Sequence, residues 1–343
     1  MKSLYLITDY QQRFSTKFTA RPYRSGLNKA LIKKEFHNLG FEADFINAAE
    51  VHQLKDNLEG KIFIYTSAED RGGNYKSFIE DVVLALEYKG AVVIPGYVFL
   101  RAHNNKVLIE LLRGRWSHDT EGTIESKCFG TYEELLNNRD TGKYPVVVKQ
   151  PEGFKSRGVF LAQDRKSLLR LARHISSTIS RKNHLKDLLR IYKHKGFIPE
   201  SQHRKKFVVQ QFIPGLTNDW KVLVYGDKYY PLFRKTRKND FRASGSGLLS
   251  YCREVPDGLL NTVERLVHDF NVPQISVDIA FDGQKFYIFE LQFIYFGTYT
   301  IEHSEFYFHK ENSVWKIVEG KSVVEEEYAR SMAAFINNNF RAL

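Results

Sequence analysis

A chain of 343 residues, 43% apolar and 27% charged, with 26 Phe and 19 Tyr, is long enough for two or three packed subdomains and too aromatic for disorder. No apolar run reaches membrane-spanning length, which sets aside a helical membrane protein. Cys128 and Cys252 form no metal or redox spacing, and Met1-Lys2 leads straight into Leu4-Tyr5-Leu6-Ile7 without a signal-peptide pattern, so the expected location is cytoplasmic. The formal net charge of +11 is concentrated: thirteen Lys and Arg face three acids between Asp164 and Lys206. Such a stretch suits an anionic partner or a solvated helix face, and its lack of interleaved aromatics argues against nucleic acid.

In chain order, residues 3–9 read as a buried strand ending in Thr8-Asp9, followed by a polar loop carrying Arg13, Lys17, Arg21 and Arg24. A helix over 26–39 stops at Gly40, strands follow at 41–47 and 61–66, then a loop with Gly72-Gly73, a helix over 77–89 and a strand at 91–94. This alternation implies a parallel sheet covered on both faces, with ligands at the carboxyl ends of its strands, near Asp9 and Thr66.

A new section opens with a helix over 104–112, then strands at 123–129 and 144–149. The polar loop Gln150 to Gly158 precedes a strand at 159–162. With Gly153, Ser156 and Gly158 beside Lys149 and Arg157, this loop can close over phosphates, but it lacks P-loop spacing. The basic segment 164–206 reads as two helices with a connector. Strand 207–213 is stopped by Pro214-Gly215, and a hairpin spans 219–233. The cationic stretch from Arg234 runs into the small-residue loop ending at Gly247. A helix over 256–270, an irregular aromatic stretch over 295–308, a strand at 315–318 and a helix over 323–337 complete the chain.

The central feature is Ile275 to Gln292, two apolar-rich runs around Asp282-Gly283 that read as a β-hairpin. A two-residue turn would set Asp278 and Glu290 on opposite faces. A three-residue loop, Asp282-Gly283-Gln284, puts Val277, Ile279 and Phe281 with Tyr287, Phe289 and Leu291, and gathers Asp278, Glu290 and Gln292 on the other side. Two carboxylates and an amide oxygen are the hard donors that suit Mg²⁺; a hairpin with a solvated polar face satisfies the same pattern.

Val-Val-Val-Lys149, Gln-Gln-Phe-Ile213, Asp219-Trp-Lys221, Asp-Phe-Arg242, Asp278 and Glu-Leu-Gln292, in this order and spacing, resemble the ATP-grasp superfamily and within it the RimK-like carboxylate–amine ligases. The resemblance runs from about Asn104 to Thr298. It implies an α/β (α+β) ATP-grasp fold: an N-terminal parallel-sheet domain over 1–103, a small subdomain over 104–212 with the basic insertion 164–206, and a large subdomain over 213–343. Relatives bind ATP between two antiparallel sheets. By that resemblance Lys149, assisted by Lys106 and the loop serine Ser156, would contact the phosphates; Gln210, Gln211, Phe212 and Ile213 would form the hinge that reads adenine. Asp219 would hold ribose, and Arg242 and Ser244 would approach the triphosphate and an acyl phosphate, with Arg242 and Lys149 catalytic. Asp278, Glu290 and Gln292 would hold Mg²⁺ or Mn²⁺.

The implied activity is ADP-forming ligation of a carboxylate to an amine or thiol, with small-molecule or peptide substrates. A kinase of the same fold and a nucleotide-binding regulator remain open, as does a homodimer. Gln211 stands where many relatives have Glu, Gln292 where Asn is usual, and the aromatic loop Phe293 to Thr300 lacks the usual Pro-Gly.

Overall fold

The computed structural model describes every residue except 15–25, 55–56, 67–69, 114–123, 154–157, 238–241, 243–246 and 341–343. Ser156, Ser244, Arg157, Lys17, Arg21 and Arg24 therefore lie outside the described residues. The chain divides into two compact units, one of Met1–His103 with Thr217–Leu343 and one of Asn104–Leu216.

The first unit opens with β1 (Lys2–Thr8), α1 (Lys29–Asn38), β2 (Phe41–Asn47), β3 (Ile62–Tyr65), α2 (Asn74–Tyr88), β4 (Val92–Ile94) and α3 (Tyr97–Ala102). The four strands form the expected parallel sheet, in the order β2-β1-β3-β4. The inner strand β3, Ile-Phe-Ile-Tyr, is a short apolar run buried on both faces, whereas the edge strand β2 alternates and leaves Glu42 and Asp44 exposed. Three short elements went unforeseen: the 3₁₀ helix Ala48–Gln53, started by an Asn47–Glu50 capping box, the 3₁₀ turn Arg71–Gly73, and α3.

The second unit carries α4 (Lys106–Leu112), β5 (Ser126–Phe129), α5 (Tyr132–Asn137), β6 (Val146–Lys149), β7 (Val159–Ala162), α6 (Arg165–Ile175), α7 (Arg181–Lys193) and β8 (Phe207–Gln211). Its antiparallel sheet runs β5-β8-β6-β7. Alternation sends Phe129, Val146, Val148, Phe207 and Val209 to one face, where they pack with Leu135 and with Leu168, Ala172 and Ile175 of α6. Each buried Val, Leu, Ile or Phe among them contributes roughly 1.5–3 kcal/mol. The start of α6 is set by Asp164, whose side chain accepts from the Ser167 backbone N–H at 2.7 Å.

The first unit then resumes with β9 (Asn218–Tyr225), β10 (Lys228–Lys235), β11 (Leu249–Ser250), α8 (Leu259–Phe270), β12 (Gln274–Phe281), β13 (Phe286–Gln292), α9 (Tyr299–His303), β14 (Phe306–Glu311), β15 (Val314–Glu319) and α10 (Val324–Asn339). These strands make a seven-stranded sheet in the order β13-β12-β9-β10-β14-β15, with β11 on β10. Its core joins Leu223, Tyr225 and Tyr230 to Phe296, to Tyr328 and Met332 of α10 and to Leu4 and Ile64 of the parallel sheet. The stretch 295–308, expected to be irregular, instead forms α9 and the start of β14; its aromatic side chains hid the alternation of a strand whose Phe306 and Phe308 are buried.

The β12–β13 hairpin corrects the expected register. Phe281 pairs with Phe286, so the loop holds four residues, and a β-bulge between Asp278 and Ile279 shifts the pairing by one. Asp282 shapes that loop by accepting from the backbone N–H groups of Gln284 and Lys285 at 2.8 and 2.7 Å. The buried face is then Val277 and Ile279 with Phe286, Ile288 and Leu291, not Tyr287 and Phe289. Loop and bulge offset each other in parity, so Asp278 and Glu290 still share a face and stand directly opposite each other.

Candidate functional site

In the first unit, alternation along β9, β10, β12 and β13 brings Asp219, Lys221, Arg234, Ser276, Asp278, Glu290 and Gln292 to one face. Asp278 lies opposite both Lys221 and Glu290, Ser276 opposite Gln292, and Asp219 opposite Arg234. Farther along the strands the same face turns apolar at Leu223 and Tyr230 and enters the core. The polar groups are thus confined to one end of a packed surface.

Arg234 is the hub. Its Nε donates to Asp219 Oδ1 at 2.6 Å and its Nη2 to Oδ2 at 2.7 Å, a bidentate pair, and Nη2 lies 2.9 Å from Asp278 Oδ2. Lys221 Nζ donates to Ser276 Oγ at 2.6 Å and to Asp278 Oδ1 at 3.2 Å. Asp219, Arg234 and Asp278 are all buried. Burial works against ionisation of Asp278, but Arg234 and Lys221 outweigh it and hold its carboxyl at about 2. Burial, helped by the charge of Asp278, outweighs Arg234 at Asp219 and raises it to about 6, so on acidification Asp219 takes the first proton of the pair.

Lys221 and Arg234 were not singled out for the site from the sequence. Arg234 was read as the start of a cationic loop; it is the penultimate residue of β10 and points inward. The signal available was period 2, Asp219 with Lys221 and Leu232 with Arg234. Asp219, expected at a ribose, has both oxygens engaged by Arg234. Arg242 is half-buried between two stretches outside the described residues.

The donor set for a divalent ion can be judged on its chemistry. Asp278, Glu290 and Gln292 offer three hard oxygens on one face. The charges of Asp219, Lys221, Arg234 and Asp278 cancel, which leaves Glu290 as the net negative group. Among the described residues, no three His, Cys, Asp or Glu side chains are grouped to hold a metal by themselves. The set fits an ion that takes one or two carboxylates and completes its shell from phosphates and water, as Mg²⁺ does, and not a closed protein cage.

In the second unit, Lys149, Gln210 and Ser126 share the sheet face opposite the apolar core. Lys149 is 8% exposed. Glu110 of α4 lies over this face: it accepts from Ser126 Oγ at 2.7 Å, from Gln210 Nε2 at 3.2 Å and from Arg113 at 2.8 and 2.9 Å. Burial pushes the Glu110 carboxyl up, but Arg113, Ser126 and the nearby Lys149 charge together bring it below its ordinary value. Glu110 was missed because a lone Glu on an amphipathic helix reads as surface.

Lys106 opens α4 and its Nζ donates to the Gly153 carbonyl at 3.4 Å, tying α4 to the loop after β6. That loop is closed at its base by Gln150 N–H donating to the Gly158 carbonyl at 2.8 Å; Gly158 has φ 79°, and a Cβ there would meet the Gln150 side chain at 2.5 Å. Gln210 is paired within the ladder on both sides, and the Gln211 N–H donates to the Glu125 carbonyl at 2.8 Å. The strand ends there, so of the four residues expected to form a hinge, Gln210 and Gln211 lie within the ladder and Phe212 and Ile213 beyond it.

No protein-family model and no curated protein matches the sequence. Among solved structures, the chain is similar to D-cycloserine synthetase DcsG, with 97% of this chain and 99% of that one covered, TM-score 0.55 and 10% identity. It is similar to the ATP-grasp ligase PsnB, solved with a minimal precursor, over 97% and 99% of the two chains with TM-score 0.51 and 12% identity. A third is the glycinamide-RNase-transformylase T of Mycobacterium tuberculosis, with 96% and 80% covered, TM-score 0.52 and 8% identity. The chain has the ATP-grasp fold.

Proposed function

We propose that this protein is an ATP-dependent, ADP-forming ligase that joins a carboxylate to an amine or a thiol, of the RimK-like kind. The observation that carries the reading is the pair Asp278 and Glu290, directly opposite on neighbouring strands with Lys221 and Arg234 beside them. A carboxylate pair that can hold a metal, with neighbouring cations that keep Asp278 ionised, suits the metal-assisted phosphoryl transfer such a reaction begins with. The neighbours named as a synthetase and a ligase share the fold, which supports a ligation.

In the second unit, Lys149 would meet phosphate oxygens, held in place beside Glu110, while Phe212 and Ile213 would read the base through their backbone. In the first unit, Glu290 and Gln292, with the remaining lone pairs of Asp278, would hold Mg²⁺ or Mn²⁺. The ion would neutralise phosphate charge when bound. Arg242 would offset the charge that develops on the transferring phosphoryl group and on the tetrahedral oxyanion of the second step. Asp219 acts through Arg234: its bidentate grip fixes the guanidinium's plane.

The test is an assay of ADP release against a panel of carboxylic acids, each with and without amines and thiols, in the presence and absence of Mg²⁺. Release that requires an acid, a nucleophile and the ion supports the reading. Release indifferent to both substrates at every combination would sink it.

A further inference from the structure

Helix α7 buries none of its thirteen residues, although the preceding α6 sends Leu168, Ala172 and Ile175 into the core. Yet α7 is not polar all round. Leu185, Leu188, Leu189 and Tyr192 follow the i, i+3, i+4, i+7 spacing of one helical face, with Ile191 at its margin, and every one is exposed, Tyr192 by 88%. Ile179 before the helix and Ile198 after it, the latter 86% exposed, extend the apolar surface past both ends. Lys182, Lys186, Arg190 and Lys193 fill the adjoining sector. Asp187 is the one acid of the helix, and it is paired with Arg190 at 3.0 Å.

We propose that α7 is an interfacial anchor that lays its Leu185–Tyr192 face into an anionic lipid surface. An apolar stripe flanked by Lys and Arg on a helix that carries no core is the pattern of a helix lying in the membrane plane. Charge decides between occupants. A second copy of the chain docked through this face would bring two basic sectors together, which like-charge repulsion opposes. An anionic bilayer complements the thirteen cations and three acids of the surrounding segment, adds about fivefold in affinity per Lys or Arg near its surface, and needs no shaped recess. Among the described residues, no helix is long and apolar enough to cross a membrane, so the contact is peripheral.

The test is flotation of the full chain with phosphatidylcholine vesicles, with and without phosphatidylserine, at low and raised salt. The protein should float only with the anionic vesicles, and less as salt rises. Replacing Lys182, Lys186 and Lys193 together by Gln should weaken binding about a hundredfold, and the triple change Leu185→Ser, Leu189→Ser and Tyr192→Ser should abolish it. A Tyr192→Trp variant should shift its emission to the blue on vesicles, which reports burial of this face even where a triple variant folds poorly. No flotation with either vesicle overturns the proposal. So does flotation that survives the apolar triple change, which would make it charge adsorption alone. A concentration-dependent dimer lost in the apolar variant, without vesicle binding, would assign the face to a second copy. Capture of an acidic protein without vesicle binding would assign it to a protein partner.

Discussion

Arg234 grips Asp219 through two parallel hydrogen bonds of 2.6 and 2.7 Å, and the same guanidinium lies 2.9 Å from Asp278. One cation thus satisfies two buried carboxylates on different strands. Removing it leaves both without their shared partner, so Arg234→Met is expected to cost about 3–5 kcal/mol in urea unfolding. Arg234→Lys should recover little, because an ammonium cannot reproduce the fork. The double change Arg234→Met with Asp219→Leu should restore part of the loss. An Arg234→Met protein as stable as the parent would show that the cluster does not hold the sheet end together.

The two acids predict opposite limbs of a stability–pH curve. The folded-state value of Asp278, held at about 2, lies below its ordinary one near 3.9. Its contribution is therefore present above that ordinary value and lost as pH falls toward about 2. Asp219 is raised to about 6, so the folded state takes up a proton first, and stability gains as pH falls from about 6 toward 4. Asp219→Asn should flatten the upper limb and Asp278→Asn the acid limb, read from unfolding midpoints across pH. Unchanged limbs in both variants would mean that other groups govern the curve.

Glu290 carries the metal assignment. Glu290→Ala is expected to remove Mg²⁺-dependent ADP release while the far-UV spectrum and unfolding midpoint stay near the parent's, since the half-buried side chain supplies little core. Activity equal to the parent's at saturating Mg²⁺ would dispose of the assignment.

Lys149 carries the nucleotide assignment in the second unit. Lys149→Ala should weaken binding of a non-hydrolysable ATP analogue by about ten- to a hundredfold, the worth of one charge-assisted hydrogen bond. Glu110→Gln should weaken it less, by letting Lys149 and Gln210 shift. Calorimetric titration measures both. Identical affinity in Lys149→Ala would make this lysine a structural partner of Glu110.

These sites were legible in the sequence to unequal depth, for physical reasons. Alternation with period 2 placed Asp278, Glu290 and Gln292 on one face, because any loop–bulge combination that buries Val277, Ile279 and Leu291 must turn those three the other way. The same reasoning misassigned Tyr287 and Phe289, since a bulge leaves no mark in a run where every residue is apolar. Lys221 and Arg234 were passed over because buried cations are identified by the carboxylates opposite them, and cross-strand pairing is a long-range fact: Arg234 meets Asp219 only once the β9–β10 register exists. Glu110 needed the approach of α4 to β5 and β8. The exposed stripe of α7 was invisible as such, because an amphipathic pattern predicts a covered face and only the structure shows that nothing in the described chain covers it.

The last prediction separates ligation from phosphorylation of a hydroxyl or amide, since both begin from the same Mg²⁺–ATP and both would use Lys149, Asp278 and Glu290. A ligase activates a carboxylate first, and one oxygen of that carboxylate leaves with phosphate when the nucleophile attacks. With ¹⁸O in the carboxylate of a competent substrate pair, the label should therefore appear in inorganic phosphate, ADP should accumulate, and hydroxylamine should trap the activated acyl group as a hydroxamate. A kinase would give a stable phosphorylated product, no free phosphate and no requirement for an amine or thiol. Arg242→Ala should lower kcat with little change in the KM for ATP if it stabilises the developing charge, because that interaction is made in the transition state and not in the bound substrate. A phosphorylated product formed without free phosphate, labelled or not, would overturn the ligase reading and leave the nucleotide and metal assignments standing.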